Sequence, residues 1–357
     1  MPENSLCRET FVVDDRPAYP YRVLGNRYTP STTASSTQRS KAHEQRVSLI
    51  FLHAVGMFKE CFEPVIENLF KDHSTLQTPS GKSVVVDEAW SLECPCHGQS
   101  AVMNASDIAK NHNGAWSYKE YAASTHTFLR GRPGGHDLLQ RKLVLVGHSL
   151  GACIIPYLLQ MEPKFDVHCI ISAEPLRGPV SKRMDKGSKV FSDMALCRQD
   201  VWLSRSQART YFESHPFTKS WHPTVRKLFL EFALADHPAS KLAEPYPFKG
   251  VMLACSRENE AAIYRSLAQD NEGYYLMTAL YAGGVPLHYM YDKNPPALTG
   301  FVQPGLLLCN GLRPATAHAV NGGHMFFQAD PVEASDLLAK VIAYEKMAGI
   351  STAVARL

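Results

Sequence analysis

Ser149 is the residue whose surroundings point most directly to chemistry. It stands at the centre of Gly147-His148-Ser149-Leu150-Gly151, a G-x-S-x-G pentapeptide that follows the apolar run at residues 142–146. A short β-branched and Leu-rich run predicts a buried strand, and the sharp turn after it needs flanking residues that are nearly free of side chain. Residues 152–161 then continue as an apolar helix whose first N–H groups would face an oxyanion formed at the serine. The pattern predicts a nucleophile elbow.

A serine nucleophile needs a general base and a carboxylate to orient that base. The hydroxyl is a weak nucleophile near neutral pH, so the base must lie within hydrogen-bond reach. Of 15 histidines, His324 is the best placed, because it lies in a Gly-Gly loop between the last predicted strand and the last predicted helix. His318 is expected to lie within that strand. We therefore predict His324 as the base.

The orienting carboxylate has more than one candidate. Glu174 ends an Ile-rich predicted strand, which places it at the carboxyl edge of the sheet, where functional sites collect. Asp292 follows a later apolar run and is the main alternative. Glu258 and Glu260 are weaker options, expected in the region between these strands. On the residues alone, Glu174 is favoured and Asp292 stays open.

Composition narrows the class of protein. The chain has 357 residues, of which 45% are apolar and 20% charged, as expected for a soluble globular protein. A net charge of +3 without basic runs gives no indication of nucleic-acid binding. Nine irregularly spaced cysteines favour reduced thiols in an intracellular compartment. We expect neither a secretory signal nor a membrane span.

Strand-like and helix-like segments alternate over the first half of the chain and return near its end. Predicted strands cover residues 9–13, 21–23, 47–52, 90–93, 142–146, 167–172, 285–291 and 316–320, with a further apolar run at 306–310; predicted helices cover 62–70, 117–129, 152–161 and 331–348. Such alternation predicts an α/β fold with a mostly parallel central sheet flanked by helices. The Ser- and Thr-rich residues 29–46 are expected to form a solvated loop.

The pattern of predicted secondary structure changes after Glu174. The predicted helices there cover residues 200–214, 224–234 and 259–269, without strand–helix alternation. We predict a helical cap over residues 176–284, inserted into an α/β core of residues 1–175 and 285–357. Its aromatic side chains should mostly form its own core, and some should line an apolar acyl pocket over Ser149. They are Trp202, Tyr211, Phe212, Phe217, Trp221, Phe229 and Phe232.

Together these motifs resemble the α/β-hydrolase superfamily, and within it the fungal peroxisomal branch found in yeast peroxisomes and in fungal secondary metabolism. The resemblance covers about residues 10–345. The motifs are FLHAVGM at 51–57, WSLECPCHGQSAV at 90–102, GHSLG at 147–151, IISAEP at 170–175, GGH at 322–324 and the terminal ARL. In that branch the triad acid is similarly placed just after the strand that follows the elbow helix. The resemblance therefore implies Glu174, rather than Asp292, as the acid.

The resemblance also implies an oxyanion hole. His53-Ala54-Val55-Gly56 stands where the superfamily has H-G-x-x, which implies the backbone N–H groups of Val55 and Leu150 as donors. Ala54 and Cys96 replace glycines of the superfamily. Glu93 replaces the aspartate of the D-x-P-G-H-G-x-S loop. These departures concern loop geometry rather than the triad.

Cys94-Pro95-Cys96-His97 raises the question of a metal site. Two thiols one residue apart are not expected to face one tetrahedral zinc ion, and no second ligand pair follows. We predict a scaffold loop, with no metal and no cofactor.

The chain ends at Ala355-Arg356-Leu357, a small–basic–leucine tripeptide of the peroxisomal S-K-L type. It predicts recognition by a peroxisomal import receptor. The combined expectation is a peroxisomal serine hydrolase that cleaves an acyl ester or acyl-CoA thioester in fungal secondary metabolism, of the kind that makes toxins. The alternatives are a non-hydrolytic binder of a pathway intermediate and an acyltransferase using the same serine. A homodimer is left open.

Overall fold

The computed structural model describes residues 6–31, 44–111 and 114–345. Its strands are β1 (Leu6–Val13), β2 (Val23–Pro30), β3 (Glu44–Leu52), β4 (Thr75–Gln77), β5 (Ser83–Leu92), β6 (Lys142–His148), β7 (Asp166–Ala173), β8 (Val201–Trp202), β9 (Leu234–Asp236), β10 (Val251–Leu253), β11 (Leu287–Asp292) and β12 (Thr316–Val320). Its helices are α1 (Glu63–His73), α2 (Gly98–Asn111), α3 (Tyr118–Arg130), α4 (Leu150–Leu158), α5 (Lys182–Cys197), α6 (Arg205–Ser214), α7 (Pro223–Phe232), α8 (Arg257–Leu267), α9 (Asn271–Ala282), α10 (Ala297–Gly300), α11 (Gln303–Leu307), α12 (Phe326–Ala329) and α13 (Pro331–Ile342).

A nine-stranded sheet runs through the described residues in the order β1-β2-β5-β3-β6-β7-β11-β12, with β4 beside β5. From β5 to β12 each strand in this order is parallel to its neighbours, whereas β1, β2 and β4 form antiparallel pairs. The carboxyl ends of the parallel strands therefore meet at one edge of the sheet. Ser149, Glu174 and Asp292 all lie at that edge.

The central strands are buried on both faces. Leu49 and Phe51 of β3 contact the apolar cluster that α1 and α13 cover, while Ile50 and Leu52 contact the cluster under α3 and α4. Alternate residues of a strand point to opposite faces, so a strand covered on both sides reads as a continuous apolar run. This explains why the core strands could be predicted from short apolar runs alone.

The region between β7 and β11 contains strands that were not predicted. It carries helices α5 to α9, but also a three-stranded antiparallel sheet in the order β8-β10-β9. Strands of two or three residues leave no periodic pattern in the sequence, and β8 lies inside the helix predicted over residues 200–214. We propose that residues 176–284 form a cap over the core, and we use that name for them below.

Further differences concern single elements. Helices α2, α5 and α9 were not predicted, and the apolar run at residues 306–310 overlaps α11 and is not a strand. Helix α13 ends at Ile342. The predicted loop falls mostly on residues 32–43, which lie outside the described residues, as does the terminal tripeptide. In the described ranges no helix has the length and apolar character needed to cross a membrane.

Candidate active site

Ser149 lies in the turn between β6 and α4 with φ +53° and ψ −110°. A positive φ is uncommon for a residue with a side chain and stores strain, which the surrounding structure must hold. Backbone hydrogen bonds hold this turn: the Ser149 N–H donates to the Ala173 carbonyl at 2.8 Å, and the Gly151 N–H donates to the His53 carbonyl at 3.1 Å. The elbow is thereby fixed to the ends of β7 and β3.

Gly147 and Gly151 leave no room for side chains around the serine. A Cβ on Gly151 would lie 2.0 Å from the Leu52 carbonyl oxygen, and one on Gly147 would lie 2.5 Å from the Ala152 Cα. Both positions are closed by backbone atoms, which cannot move aside cheaply. The structure thus gives the steric reason for the glycines of the pentapeptide.

His324 and Glu174 are brought together from distant parts of the chain. The Nδ1 of His324 lies 3.1 Å from the Glu174 Oε2, and the side chain of Glu174 is only 5% exposed. The other carboxylate oxygen, Oε1, accepts the Asp292 N–H at 2.6 Å and the Gln303 Nε2 at 3.5 Å. A carboxylate that accepts from Nδ1–H leaves the Nε2 of His324 free to accept a proton.

Asp292 is placed differently. Its Oδ1 accepts the backbone N–H of Asn294 at 3.0 Å, and its own N–H donates to Glu174. Its carboxylate therefore closes a local turn after β11. Of the two acids at the sheet edge, Glu174 is the one hydrogen-bonded to His324.

The imidazole of His324 stands beside the elbow. Its ring centroid is 5.4 Å from that of His148, the residue before Ser149. Among the residues that the structure describes, the Ser149 hydroxyl has no hydrogen-bond partner. Hydrogen bonds between nucleophile and base are often open until substrate binds, so the arrangement remains compatible with proton transfer.

The other candidates lie apart from this pair. His318 is in β12 and bonds the Thr316 hydroxyl at 2.8 Å through Nε2. Glu258 and Glu260 are in the first turn of α8, where Glu260 forms an ion pair with Arg198. Neither glutamate forms a hydrogen bond with His324 in the described part of the chain.

The Val55 and Leu150 N–H groups, predicted as oxyanion donors, have no acceptor within the described ranges. Leu150 is the first residue of α4, where backbone N–H groups are unpaired by the geometry of a helix. The next residue after Val55, Gly56, has φ +73° and donates its N–H to the His97 Nε2 at 3.0 Å. The loop at residues 53–57, which we call the Val55 loop, is therefore held on one side by the imidazole of His97.

His53 supports the same loop from within the core. Its Nε2 accepts the Cys94 N–H at 3.0 Å, so its proton is on Nδ1, which donates to the Ala54 carbonyl at 2.8 Å. Its backbone N–H donates to the Tyr121 hydroxyl at 3.1 Å. Burial lowers the pKa of His53 to about 4, which keeps the ring neutral near pH 7. Ala54 has no positive φ, so a glycine is not required there.

Glu93 stabilises the loop that was predicted at residues 93–100. Its carboxylate accepts the Lys59 N–H at 3.2 Å and the Ser100 N–H at 2.8 Å. Gly98 has φ +48°, and a Cβ there would lie 2.0 Å from a Glu93 carboxylate oxygen. The glutamate at this position, longer than the usual aspartate, thus fills the space beside Gly98 and bonds both the 3-10 helix at Lys59–Phe62 and the first turn of α2.

Cys94 and Cys96, which were not expected to face one zinc ion, have their thiols side by side. Their Sγ atoms are 3.7 Å apart, and the Cys96 Sγ is 3.3 Å from the His97 Nδ1. These three possible ligand atoms lie within 4.8 Å of one another. However, the His97 Nε2 accepts the Gly56 N–H, so the ring proton is on Nδ1 and points at the sulfur. That hydrogen-bonding pattern does not fit a metal bound through Nδ1.

Several residues that hold the site in place were not recognised from the sequence. Gln303 bonds Glu174 from α11, Tyr121 bonds His53 from α3, and His148 bonds the His324 carbonyl. Each contact joins residues far apart in the chain. Of these three residues, only His148 could have been found from the sequence, because it lies inside the G-x-S-x-G pentapeptide.

The cap aromatics mainly pack on one another. Ring contacts join Phe212 to Trp202 and Phe229, at centroid distances of 5.0 and 4.8 Å. Phe58, which follows the Val55 loop, reaches this group through Phe229 at 5.9 Å. This agrees with their expected role as cap core and links the cap to the loop.

The sheet order, the elbow and the neighbouring His–Glu pair define an α/β hydrolase. The model of the alpha/beta hydrolase family matches residues 49–337, and the chain belongs to that family. The predicted fold is confirmed.

Known relatives agree at the level of the fold. The chain is 24% identical over 167 residues, 46% of its length, to the type I acyl-CoA thioesterase mpaH of Penicillium brevicompactum, and the match spans 35% of that protein. The peroxisomal α/β-hydrolase Lpx1 of Saccharomyces cerevisiae superposes with a TM-score of 0.69 at 14% identity, covering 99% of this chain and 94% of Lpx1. E-2-(acetamidomethylene)succinate hydrolase gives 0.63 at 13% identity, with coverage of 95% and 100%.

Proposed function

We propose that the protein is a serine hydrolase of acyl esters or acyl-CoA thioesters, with Ser149, His324 and Glu174 as its triad. The observation that carries the proposal is the 3.1 Å hydrogen bond between His324 and the buried Glu174, beside the strained turn that carries Ser149. A serine alone in such a turn would have no base. An oriented imidazole next to it provides one.

The reaction follows from the roles of these groups. The His324 Nε2 removes the proton of Ser149 as the hydroxyl oxygen attacks the acyl carbonyl, and Glu174 stabilises the imidazolium that forms. The Val55 and Leu150 N–H groups, which have no acceptor within the described ranges, donate to the oxyanion of the tetrahedral intermediate. His324 then protonates the leaving alcohol or thiol. Water, deprotonated by the same imidazole, releases the acyl group and restores the serine.

The substrate class is tested with matched acyl donors. Purified protein is assayed with p-nitrophenyl esters and CoA thioesters of the same acyl chains, and we expect hydrolysis of at least one series. The triad chemistry serves both leaving groups, and mpaH, an acyl-CoA thioesterase by name, supports the thioester series. Absence of turnover in both series, for protein with a native thermal transition, would contradict the proposal.

We further propose that the protein works in the peroxisome, in fungal secondary metabolism of the toxin-biosynthesis type. Support comes from the terminal Ala355-Arg356-Leu357 and from the likeness to a peroxisomal yeast hydrolase. A fluorescent protein fused to the amino terminus should co-localise with a peroxisomal marker in fungal cells, and deletion of these three residues should disperse it. Punctate peroxisomal fluorescence after the deletion would contradict the receptor's use of this tripeptide.

A further inference from the structure

The general base of the proposed mechanism sits on a segment with little stiffness of its own. Gly322 and Gly323 precede His324 with φ values of +91° and +73°. Glycine has the greatest backbone freedom of any residue, and the short 3-10 helix at Gly323–Met325 has no side-chain cap. Something outside the segment must fix the imidazole relative to Ser149.

His148 makes a contact that meets this need. Its Nε2 lies 2.7 Å from the carbonyl oxygen of His324. A carbonyl can only accept, so the Nε2 carries the proton and the Nδ1 is bare. The Nδ1 has no partner among the described residues, although the ring is fully buried. Burial lowers the pKa of His148 to about 3, so the ring stays neutral and the donor persists at any pH suited to an ester assay.

The ring of His148 is itself held firmly. It packs against Phe326 and Phe327, with centroid distances of 6.1 and 5.4 Å. Its backbone ends β6, paired with Ala173, the residue before Glu174. His148 is thus joined to the nucleophile through the chain and to the base through a hydrogen bond. Within the described ranges, no other side chain bonds the backbone of residues 321–325.

We propose that His148 is a positioning residue, which fixes the separation of Ser149 and His324 by donating its Nε2–H to the His324 carbonyl. This inference rests on the proposed triad. His148 does not touch the substrate or move a proton. Without its hydrogen bond, the glycine segment can carry the imidazole away from the serine.

The test compares two substitutions at this residue. His148→Phe keeps an aromatic ring against Phe326 and Phe327 but removes the donor, and it should lower kcat about 10- to 100-fold with little change in KM, since misplacement by 1 Å has that effect. His148→Gln keeps an N–H donor at similar reach and should stay within about fivefold of the unchanged protein. The rate of labelling by a fluorophosphonate should follow kcat.

His126→Phe is the matched control. His126 is also a buried histidine, and its Nε2 lies 3.1 Å from the carbonyl of Pro163, which precedes β7 and so lies at the amino ends of the parallel strands, opposite the edge of Ser149 and Glu174. Its replacement should change thermal stability about as much as His148→Phe but leave kcat unchanged. A merely structural role for His148 would make the two variants behave alike.

Each outcome decides the proposal. A folded His148→Phe protein with unchanged kcat would overturn it, as would equal losses in the Phe and Gln variants. If the Phe variant does not fold, His148→Leu, which also lacks the donor, takes its place, with the same expected loss of kcat and the same contradicting result. Ser149→Ala separates the two levels. If Ser149→Ala is inactive and His148→Phe keeps full activity, only the positioning role is rejected. If both variants keep full activity, the proposed triad is rejected as well.

Discussion

We expect Ser149→Ala to lower kcat for p-nitrophenyl ester hydrolysis by about 10⁴-fold or more, because the variant has no atom that can form the acyl-enzyme. What remains should reflect binding and the oxyanion donors alone. The measurement is steady-state hydrolysis by variant and unchanged protein, followed through released nitrophenol. Alanine is smaller than serine, and the Ser149 hydroxyl has no hydrogen-bond partner among the described residues, so the fold should be little disturbed.

Ser335→Ala is the matched control for this experiment. Ser335 is a buried serine in α13 whose hydroxyl donates to the Val332 carbonyl at 2.8 Å, and in the described part of the chain it forms no hydrogen bond with Ser149, His324 or Glu174. Its replacement should leave kcat unchanged. Activity retained by Ser149→Ala would exclude Ser149 as the nucleophile and would favour a binder or a different catalytic residue.

Glu174→Gln should lower kcat by about 10³- to 10⁴-fold, whereas Asp292→Asn should change it by less than about tenfold. The amide keeps the size of the carboxylate but cannot stabilise the imidazolium, and its NH₂ group favours the wrong tautomer of His324. Asp292 uses an oxygen that asparagine retains for the Asn294 N–H. Both variants are assayed on the same ester, with thermal unfolding as a check of folding.

These isosteric changes separate the two candidate acids directly. If Asp292→Asn causes the large loss and Glu174→Gln the small one, the assignment of the acid is wrong while the nucleophile and base stand. If neither matters, the hydrogen bond between Glu174 and His324 does not contribute to catalysis.

The elbow could be predicted because its signals are adjacent in the chain. The strand at β6, the glycines at 147 and 151 and the apolar helix α4 follow one another without interruption. Their meaning depends on local sterics, such as the 2.0 Å that a Cβ on Gly151 would leave to the Leu52 oxygen. Steric requirements of this kind can be predicted from the residue types within a short segment.

The sequence could not decide between the two candidate acids, for a physical reason. Glu174 follows β7 and Asp292 is the last residue of β11, and because these strands are neighbours in the sheet, both acids lie at the same edge. Position along the chain cannot separate them. The separation lies in side-chain direction: one carboxylate bonds His324 and the other closes its own turn.

The cap was predicted in outline only. Helix α5 has Gly187 in its interior, which lowers its helix propensity, and β8 has only two residues. The thiols of Cys94 and Cys96 are buried side by side in a turn that the His97 N–H closes by donating to the Cys94 carbonyl at 2.9 Å. Such arrangements depend on tertiary packing, which no short window of sequence contains.

Activation of the Ser149 nucleophile by His324 can be examined by mapping the site of covalent labelling. The protein is treated with a fluorophosphonate probe, digested and sequenced by mass spectrometry, in parallel with a His324→Ala variant. We expect a single phosphonylated residue, Ser149, and loss of that label when the imidazole is removed. A label on a different residue, or labelling of Ser149 at an undiminished rate without His324, would contradict this expectation.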